Sequence, residues 1–429
     1  MRPTLCTLVL ALLLSGCGGD QRDDVVTLRF WHSFVSSTRP ALDALIEQFE
    51  QEHPDIRIQA QYVPTGDGLV RKLVSSIQSG TAPDLSWVHA DFLGNLVQSD
   101  AIYPMSTFLD GENGLTADEL ADFFPATLQA ARWRDTLYAL PMEATLLALI
   151  YNKDHFREAG LDPDRPPATW EELREYTRRL TKDSDGNGRI DRFGFYVPVF
   201  PASGPLSVWM VLQWSPYIWG AGGVLIDHEQ TRVLYDSEAG VRALTFWKDL
   251  FLDMDSPALS MTHDAHFTAG HVSIIMDGPW DLPRFRELEH IDWGIAPLPA
   301  GPDEQVTYLA GEHLAIFRQS EHADEAWTFV KWVTQPEVQA FFSKESGYLP
   351  VRQSTLDLPS YREHLEDDWA LRAFVDQMSL GRARRPIDLH QVEINRHIAE
   401  AIESALIGGE EPGAALHASA AKSNALLRE

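Results

Sequence analysis

The chain has 429 residues and a mass of 48.2 kDa, with 44% hydrophobic and 23% charged residues, which is typical of a folded globular protein rather than a disordered or fibrous one. At roughly 150 residues per domain, this length predicts two or three domains with a cleft between them. Acidic residues number 63 against 35 basic ones, and the resulting net charge of −28 argues against a nucleic-acid partner.

The N-terminus has the layout of a secretory signal peptide over residues 1–16. Arg2 is followed by an apolar run and then by small residues ahead of Cys17, and the apolar run covers only about half of the ~20 positions that a membrane-spanning helix needs. The segment ending at Cys17 resembles a bacterial lipobox, which implies that this cysteine is lipidated and becomes the new N-terminus. Residues 17–24 are then a lipidated cysteine and a polar tether. Because Cys6 leaves with the leader, the mature domain is expected to lack free thiols and disulfides.

From residue 25 onward, strand and helix patterns alternate. Residues 25–31, 56–62 and 85–88 are predicted strands, and apolar residues recur at helical spacing over 42–49 and 69–77. This βαβαβ order within about ninety residues predicts a parallel, doubly wound sheet. Ligands of such sheets bind at the carboxyl ends of the strands, so the loops after the first and third strands are candidate binding loops.

The later part of the chain is predicted to be mainly helical. Residues 169–172 form a capping box that predicts a helix start, and residues 271–276 read as a buried strand. The Pro/Gly-rich stretch 294–302 is a candidate crossing between lobes, and helical patterns follow at 326–333 and 392–406.

A series of short motifs resembles landmarks of one family, the carbohydrate-type extracellular solute-binding proteins of ABC importers. Each motif is weakly specific by itself, but their order and spacing over most of the chain are specific together. The motifs are Trp31-His32-Ser33, Ser79-Gly80-Thr81-Ala82-Pro83-Asp84, Leu140-Pro141-Met142-Glu143-Ala144, Tyr151-Asn152-Lys153-Asp154, Pro166-Pro167-Ala168-Thr169-Trp170-Glu171-Glu172-Leu173, Asp277-Gly278-Pro279-Trp280 and Ser346-Gly347-Tyr348-Leu349-Pro350.

The resemblance implies an α/β, two-lobe periplasmic-binding-protein-like fold, in which doubly wound sheets are joined by a hinge of several crossings and enclose the substrate. By analogy, lobe one takes residues 25–142 and 294–325, and lobe two takes 143–293 and 326–429. The implied function is a lipid-anchored receptor at the outer face of the cytoplasmic membrane or in the periplasm. It would bind a sugar and deliver it to the permease subunits of an ABC transporter, as a monomer and with no required cofactor.

Candidate ligand contacts in the first lobe follow from the strand-end rule together with this resemblance. A sugar needs polar groups for its hydroxyls and aromatic rings for its C–H face. Trp31 and His32 end the first strand, although Trp31 could equally close the edge of the core. Asp91 follows the third strand, where an alternative role is the N-cap of the next helix. Glu143 lies at the predicted first crossing and resembles a sugar-contacting glutamate of maltose-binding proteins.

Further candidate contacts come from the second half of the chain. Trp280 follows a Gly-Pro pair and resembles a sugar-stacking tryptophan of the maltose-binding branch. A tryptophan-rich segment precedes residues 220–223, and one of its members, Trp214 or Trp219, is predicted to line the cleft. The resemblance adds the late contacts Gly311, Glu312, Tyr348, Arg384 and Arg385.

One segment also resembles a calcium-binding loop. Asp183, Asp185, Asn187 and Asp191 occupy ligand positions of an EF-hand-type loop, but the twelfth position is Gly194 instead of glutamate. Structural calcium is therefore a hypothesis, and a polar turn without metal is the simpler alternative.

Two rival functions remain open at this stage. A secreted carbohydrate-active enzyme would need a suitably spaced carboxylate pair, but no hydrolase, zinc-protease, Walker or dinucleotide motif is present, so catalysis is disfavoured. His263 and His266 have the spacing of metal ligands, but two histidines in a polar stretch are more simply interpreted as solvated. The chemical alternative is a receptor for glycerol-3-phosphate or a phosphodiester, which would require a concentrated positive patch.

Overall fold

The computed structural model describes residues 25–64, 67–183, 186–204, 206–254, 263–384 and 390–428. The predicted leader and tether lie outside this part of the chain. Cys6, Cys17, Asp185 and Arg385 therefore also lie outside the described residues.

The described chain folds into alternating strands and helices. The strands are β1 (Val26–His32), β2 (Ile56–Tyr62), β3 (Leu85–Val88), β4 (Arg132–Trp133), β5 (Thr136–Leu137), β6 (Leu140–Pro141), β7 (Thr145–Leu146), β8 (Ala148–Asn152), β9 (Ile274–Asp277), β10 (Trp293–Ala296), β11 (Thr307–Ala310), β12 (His313–Ile316) and β13 (Gly381–Arg382). The helices are α1 (Arg39–Glu52), α2 (Asp67–Ser79), α3 (Ala90–Gln98), α4 (Ser106–Leu109), α5 (Ala117–Ala121), α6 (Pro125–Ala130), α7 (Lys153–Glu158), α8 (Trp170–Leu180), α9 (Ser207–Gly220), α10 (Glu238–Asp253), α11 (His263–Thr268), α12 (Leu282–Arg286), α13 (Ala323–Val333), α14 (Pro336–Ser346), α15 (Pro359–Asp367), α16 (Trp369–Val375), α17 (Gln391–Leu406) and α18 (Pro412–Leu426). Short 3₁₀ helices cover Pro279–Asp281, Gln353–Asp357 and Met378–Leu380. Within the described ranges, no helix is both long and apolar enough to cross a bilayer.

The first lobe is built on a five-stranded sheet in the order β2-β1-β3-β12-β6. β1 pairs in parallel with both β2 and β3, which confirms the predicted βαβαβ unit. β12 joins the sheet antiparallel to β3 and β6. The apolar faces of β1 and α1 meet in a core where Leu28, Phe30, Leu45 and Phe49 have no exposed surface, because alternate strand residues and helical i, i+3 and i+4 positions share one face.

The second lobe contains the antiparallel sheet β10-β8-β9. Its central strand β8 is buried at every position, as expected for a strand covered on both faces. α8 begins where the capping box predicts it, since the Thr169 side chain accepts the N–H of Glu172 at 3.2 Å. The Glu172 carboxylate accepts the N–H of Ala168 instead of closing the box on Thr169.

A third sheet, β13-β11-β7, joins the two lobes. β7 carries the chain from β6 of the first sheet to β8 of the second, and β11 carries it back from β10 to β12. Ala144 forms an additional bridge with Leu349 on the return from α14. The hinge therefore consists of several crossings, as the resemblance implies.

The lobe boundaries differ from the predicted ones at two places. β10 (Trp293–Ala296) pairs along its length with β8 and so belongs to the second lobe, although 294–325 was assigned to the first. α13 and α14 pack on the first lobe, where the Phe329 ring lies 4.9 Å from that of Phe49 and 5.9 Å from that of Phe30. The physical reason is that these pairings are set by long-range burial, which a local pattern does not encode.

Candidate functional site

Polar and aromatic side chains from both lobes meet in two neighbouring clusters. We define the hinge cluster as His89, Asp91, Glu143, Glu312, Arg384 and Asn395. We define the tryptophan cluster as Trp209, His263, Asp277, Trp280 and Asp281. Tyr348 lies between the two, since its neighbour Leu349 forms a bridge with Ala144, beside Glu143, and its neighbour Gly347 packs against Pro279, beside Trp280. Burial, and then the charges of Glu143, Glu312 and Asp281, raise the pKa of the Tyr348 hydroxyl.

Glu143 and Glu312 form the centre of the hinge cluster. Glu143 has no exposed surface, and its Oε1 accepts the backbone N–H of Glu312 at 3.0 Å, while its Oε2 accepts no hydrogen bond. Burial raises the pKa of Glu143 to about 8. Burial, and then the charge of Glu143, raise the pKa of Glu312 well above its ordinary value. The ligand-free protein therefore holds a proton on this carboxyl pair at neutral pH.

Gly311 brings the return strand close to Glu143. A Cβ atom at Gly311 would lie 2.2 Å from the backbone oxygen of Glu143. Because that oxygen belongs to the backbone, the clash could be relieved only by a shift of the hinge. The glycine is needed here for close approach.

Replacing Gly311 with alanine is expected to destabilise the protein by about 1–3 kcal/mol, because the methyl group overpacks the hinge. Thermal unfolding measures this change. Gly413→Ala is the matched control, since a Cβ there makes only ordinary contact, at 3.7 Å, with Val241. An unchanged melting temperature for Gly311→Ala would contradict the geometry.

Asp91 links the two lobes through Arg384 and Asn395. Its Oδ1 lies 3.4 Å from Arg384 Nη1 and accepts the amide of Asn395 at 3.2 Å, while Arg384 Nη2 donates to Asn395 Oδ1 at 2.7 Å. The alternative role as helix N-cap is not observed, since His89 is the N-cap of α3 and Asp91 lies in the first turn. His89 Nδ1 lies 3.1 Å from Glu312 Oε2, which ties the end of β3 to the hinge.

The tryptophan cluster places two indole rings beside buried carboxyl groups. Trp280 is half-buried and lies edge-to-face against Trp209, with ring centroids 5.5 Å apart. Gly278 makes room for this ring, because a Cβ there would lie 1.8 Å from a Trp280 ring atom. Burial, and then the neighbouring Asp277, raise the pKa of Asp281 to about 8.

The two histidines that precede this cluster are not solvated. His263 is 9% exposed and His266 is 7% exposed, so the interpretation of both as surface residues is wrong. His263 Nε2 lies 3.3 Å from Asp277 Oδ2, and the His266 ring packs on Tyr196. The reason is that α11 lies against β9 and turns both imidazoles inward.

Trp31 and His32 lie on opposite faces of β1. Trp31 is 8% exposed and covered by Lys72 Nζ at 4.1 Å from its ring centroid, whereas the His32 ring packs on Phe34, which itself contacts Tyr348. Burial, and then the charge of Arg39, lower the pKa of His32 to about 4, so His32 is neutral at physiological pH. The roles of Trp31 and His32 as ligand contacts stay predictions.

The two tryptophans of α9 have different surroundings. Trp214 has no exposed surface and its indole N–H finds no acceptor, which places it within the lobe-two core. Trp219 stacks on Tyr308 at 6.3 Å and borders a cavity of about 160 Å³ together with Arg382 and Arg384. Of the two, Trp219 is the one beside the hinge cluster, and its ligand contact also stays a prediction.

The predicted calcium loop is only partly described. Asp183 accepts backbone N–H groups from Gly186, Asn187 and Gly188 at 2.7–3.1 Å. Asn187 Oδ1 accepts the N–H of Arg189. These contacts form a polar turn, and since Asp185 lies outside the described residues, the site formed by Asp183, Asp185, Asn187 and Asp191 stays a prediction.

Several members of the clusters were missed from the sequence. His89 directly follows β3, so the same rule that selected Asp91 could have found it. Trp209 belongs to the tryptophan-rich segment but was not selected from it. Asn395 lies on α17, and only the packing of α17 against α3 brings it to Asp91.

Comparison with known proteins gives matches along most of the chain. Residues 36–340 match the family described as bacterial extracellular solute-binding protein. The maltotriose-binding protein of Pyrococcus abyssi is 27% identical over 77% of this chain and 68% of its own length. The sn-glycerol-3-phosphate-binding periplasmic protein of Shigella dysenteriae serotype 1 is 24% identical over 99% of this chain and 97% of its own length.

A solved structure is similar over nearly the whole fold. The cyclic alpha-maltosyl-1,6-maltose binding protein from Arthrobacter globiformis superposes with a TM-score of 0.79 at 27% identity, and the match covers 94% of this chain and 99% of that protein. The two-lobe α/β architecture with a multi-crossing hinge is therefore shared with a sugar receptor.

Proposed function

The chain belongs to the bacterial extracellular solute-binding protein family, and from that premise we propose that it is a receptor that binds an oligosaccharide or sugar derivative between its lobes and delivers it to an ABC permease. The proposal includes export through residues 1–16, a lipid anchor at Cys17 and action as a monomer. It includes no catalytic step, because the named relatives are binding proteins.

The observation that carries this proposal is a buried carboxyl oxygen left without a partner where the lobes meet. Glu143 Oε2 in the hinge is buried and forms no hydrogen bond. A buried polar atom is costly unless a partner reaches it, and sugar hydroxyls are such partners. In the tryptophan cluster, Trp280 and Trp209 offer ring faces for the C–H surface of a sugar.

The charge of the site favours a neutral sugar over a phosphate ester. Asp91, Glu143 and Glu312 face the hinge, and Asp277 and Asp281 lie beside Trp280. Arg384 is the cation of the hinge cluster, and it is already paired with Asp91. A phosphate group would have to compete with Asp91 for Arg384, which argues against the glycerol-3-phosphate alternative despite the similarity to that receptor.

Delivery to a permease follows from lobe closure. Ligand can favour the closed form only by contacts that exist in that form and not in the open one. The tryptophan cluster lies on lobe two, whereas His89 and Asp91 of the hinge cluster lie on the first lobe, so a ligand held by both clusters would contact both lobes. Residues of both clusters are therefore expected to contribute to affinity, and the closed form is what the permease would recognise.

We expect one class of neutral oligosaccharide to raise the melting temperature by several degrees, because a ligand at about a hundredfold its dissociation constant adds about 2.7 kcal/mol. The measurement is thermal unfolding of the purified protein against monosaccharides, oligosaccharides, sugar alcohols and glycerol phosphates. A shift with glycerol-3-phosphate alone would overturn the neutral-sugar assignment. Consumption of the sugar during incubation would show an enzyme and overturn the receptor proposal.

A further inference from the structure

A buried three-residue group beneath Trp280 has the composition of a metal site. His263, Asp277 and Asp281 each offer one ligand atom, and these atoms all lie within 4.8 Å of one another. Each of the three residues is at most 9% exposed. Among the described residues, no other group of three or more histidine, cysteine or acidic side chains converges in this way.

Two of the three ligand atoms lack any hydrogen-bond partner. Asp277 has no exposed surface, and its Oδ2 is unpartnered, as is His263 Nε2. The two atoms face each other at 3.3 Å without forming a well-directed hydrogen bond. Buried polar atoms that converge without partners are suited to bind an ion or another polar group.

The geometry fits an ion better than a direct hydrogen bond. Metal–nitrogen and metal–oxygen distances near 2.0–2.2 Å in a tetrahedral site place neighbouring ligand atoms about 3.3–3.5 Å apart. The observed 3.3 Å between His263 Nε2 and Asp277 Oδ2 agrees with this separation. Asp281 would complete a three-ligand set and leave a fourth position for water or a ligand oxygen.

We infer that His263, Asp277 and Asp281 form a binding site for a divalent transition-metal ion of the zinc type. One imidazole and two carboxylates suit Zn²⁺ better than Ca²⁺, which takes six or more oxygen ligands. The site is distinct from the calcium loop around Asp183, and it does not depend on which sugar is bound. Because the Trp209 ring lies 6.3 Å from that of His263, the ion would lie beside the aromatic pair of the tryptophan cluster.

The test is a zinc titration of the purified full chain. Cys6 and Cys17 are replaced with serine in every sample, because thiolates bind zinc, and the purification tag contains no histidine. After removal of metals, competition with a chromophoric zinc indicator is expected to show one equivalent bound, and calcium in large excess is not expected to displace it. Absence of saturable zinc binding would overturn the inference.

Variants then locate the site. His263→Gln and Asp281→Asn are each expected to weaken zinc binding by more than the roughly 10–100-fold that loss of an outer-shell partner costs. His266→Gln is the matched control, because His266 is similarly buried on the same helix but lies outside the ligand set. Equal loss in His266→Gln, or undiminished binding in the other two variants, would overturn the assignment.

A measurement on the unaltered residues covers the case in which a variant fails to fold. Anomalous scattering at the zinc edge from a crystal of the zinc-loaded protein is expected to place the ion within about 2.5 Å of all three ligand atoms. An ion located elsewhere, or no anomalous peak, would overturn the site.

Discussion

Replacing Trp280 with alanine is expected to weaken oligosaccharide binding by about 10–100-fold, corresponding to roughly 1.5–3 kcal/mol, because the variant loses the ring face against which the sugar packs. The loss should appear in isothermal titration with the sugar that gives the largest thermal shift. The expected effect on folding is smaller, because Trp280 is only half-buried.

The position of this ring is held from two sides, which is why it should matter more than other aromatic residues near the site. The edge-to-face contact with Trp209 fixes one side, and the absence of a side chain at Gly278 leaves space on the other. A rigid ring gives up little conformational entropy when a ligand packs on it.

Trp369→Ala is the matched control for Trp280→Ala. Trp369 is 47% exposed on α16 and packs on Trp293, away from both clusters. Its removal is expected to leave sugar affinity unchanged. An equal loss in both variants would indicate a general effect of tryptophan removal, and unchanged affinity in Trp280→Ala would exclude the tryptophan cluster as the binding surface.

The βαβαβ unit of the first lobe could be predicted in detail because its order is encoded locally. The apolar spacing of α1 and the alternation of β2 are visible within a few residues, and parallel pairing follows from the βαβαβ order. The second lobe could not be predicted in the same way. The pairing of β10 with β8 joins segments more than a hundred residues apart, and residues 148–151 of β8 are hydrophobic without alternation, so their pattern does not select a partner.

The residues of the candidate site also differ in whether a local sequence pattern could identify them. Asp91 follows a recognisable strand, and Glu143 and Trp280 lie in motifs, so each could be selected from the sequence. The convergence of His263 on Asp277 and Asp281 depends on the packing of α11 against β9, which no spacing reveals. The pairing of Asp91 with Asn395 likewise requires α17 to reach across to the first lobe. Local patterns indicated individual candidate residues, while folding determined which charged side chains lie together.

Glu143→Gln is expected to stabilise the ligand-free protein at pH 8 and to weaken its binding of the sugar. Glu143 is buried with one unpartnered carboxylate oxygen, and burial raises its pKa from the ordinary value of 4.5 to about 8. The unfolded chain therefore releases this proton at lower pH than the folded chain does. The contribution of Glu143 to folding stability consequently falls as pH rises from about 4.5 to about 8, by about 4 kcal/mol over that window.

A neutral amide removes this pH-dependent penalty and also the repulsion between Glu143 and Glu312. The melting temperature of Glu143→Gln is expected to match that of the parent protein near pH 5 and to exceed it by about 5 °C at pH 8. Glu366→Gln, which changes an exposed carboxylate on α15, is the matched control and should show no such divergence. If the difference in melting temperature between Glu143→Gln and the parent protein stayed the same from pH 5 to pH 8, the burial of a protonated carboxyl group would be contradicted.

The same change should lower sugar affinity by about tenfold at pH 8, because an ionised acceptor makes stronger hydrogen bonds to hydroxyl groups than an amide does. Hydroxyl donors at Glu143 Oε2 would favour the ionised form, so sugar binding near pH 7 is expected to release a proton. Titrations in buffers of different ionisation enthalpy measure that release, and Glu143→Gln should reduce it. A variant that gains stability but keeps both its affinity and its proton release would place the ligand elsewhere. The expected combination would show that the hinge holds a destabilising carboxylate because the ligand, when bound, satisfies it.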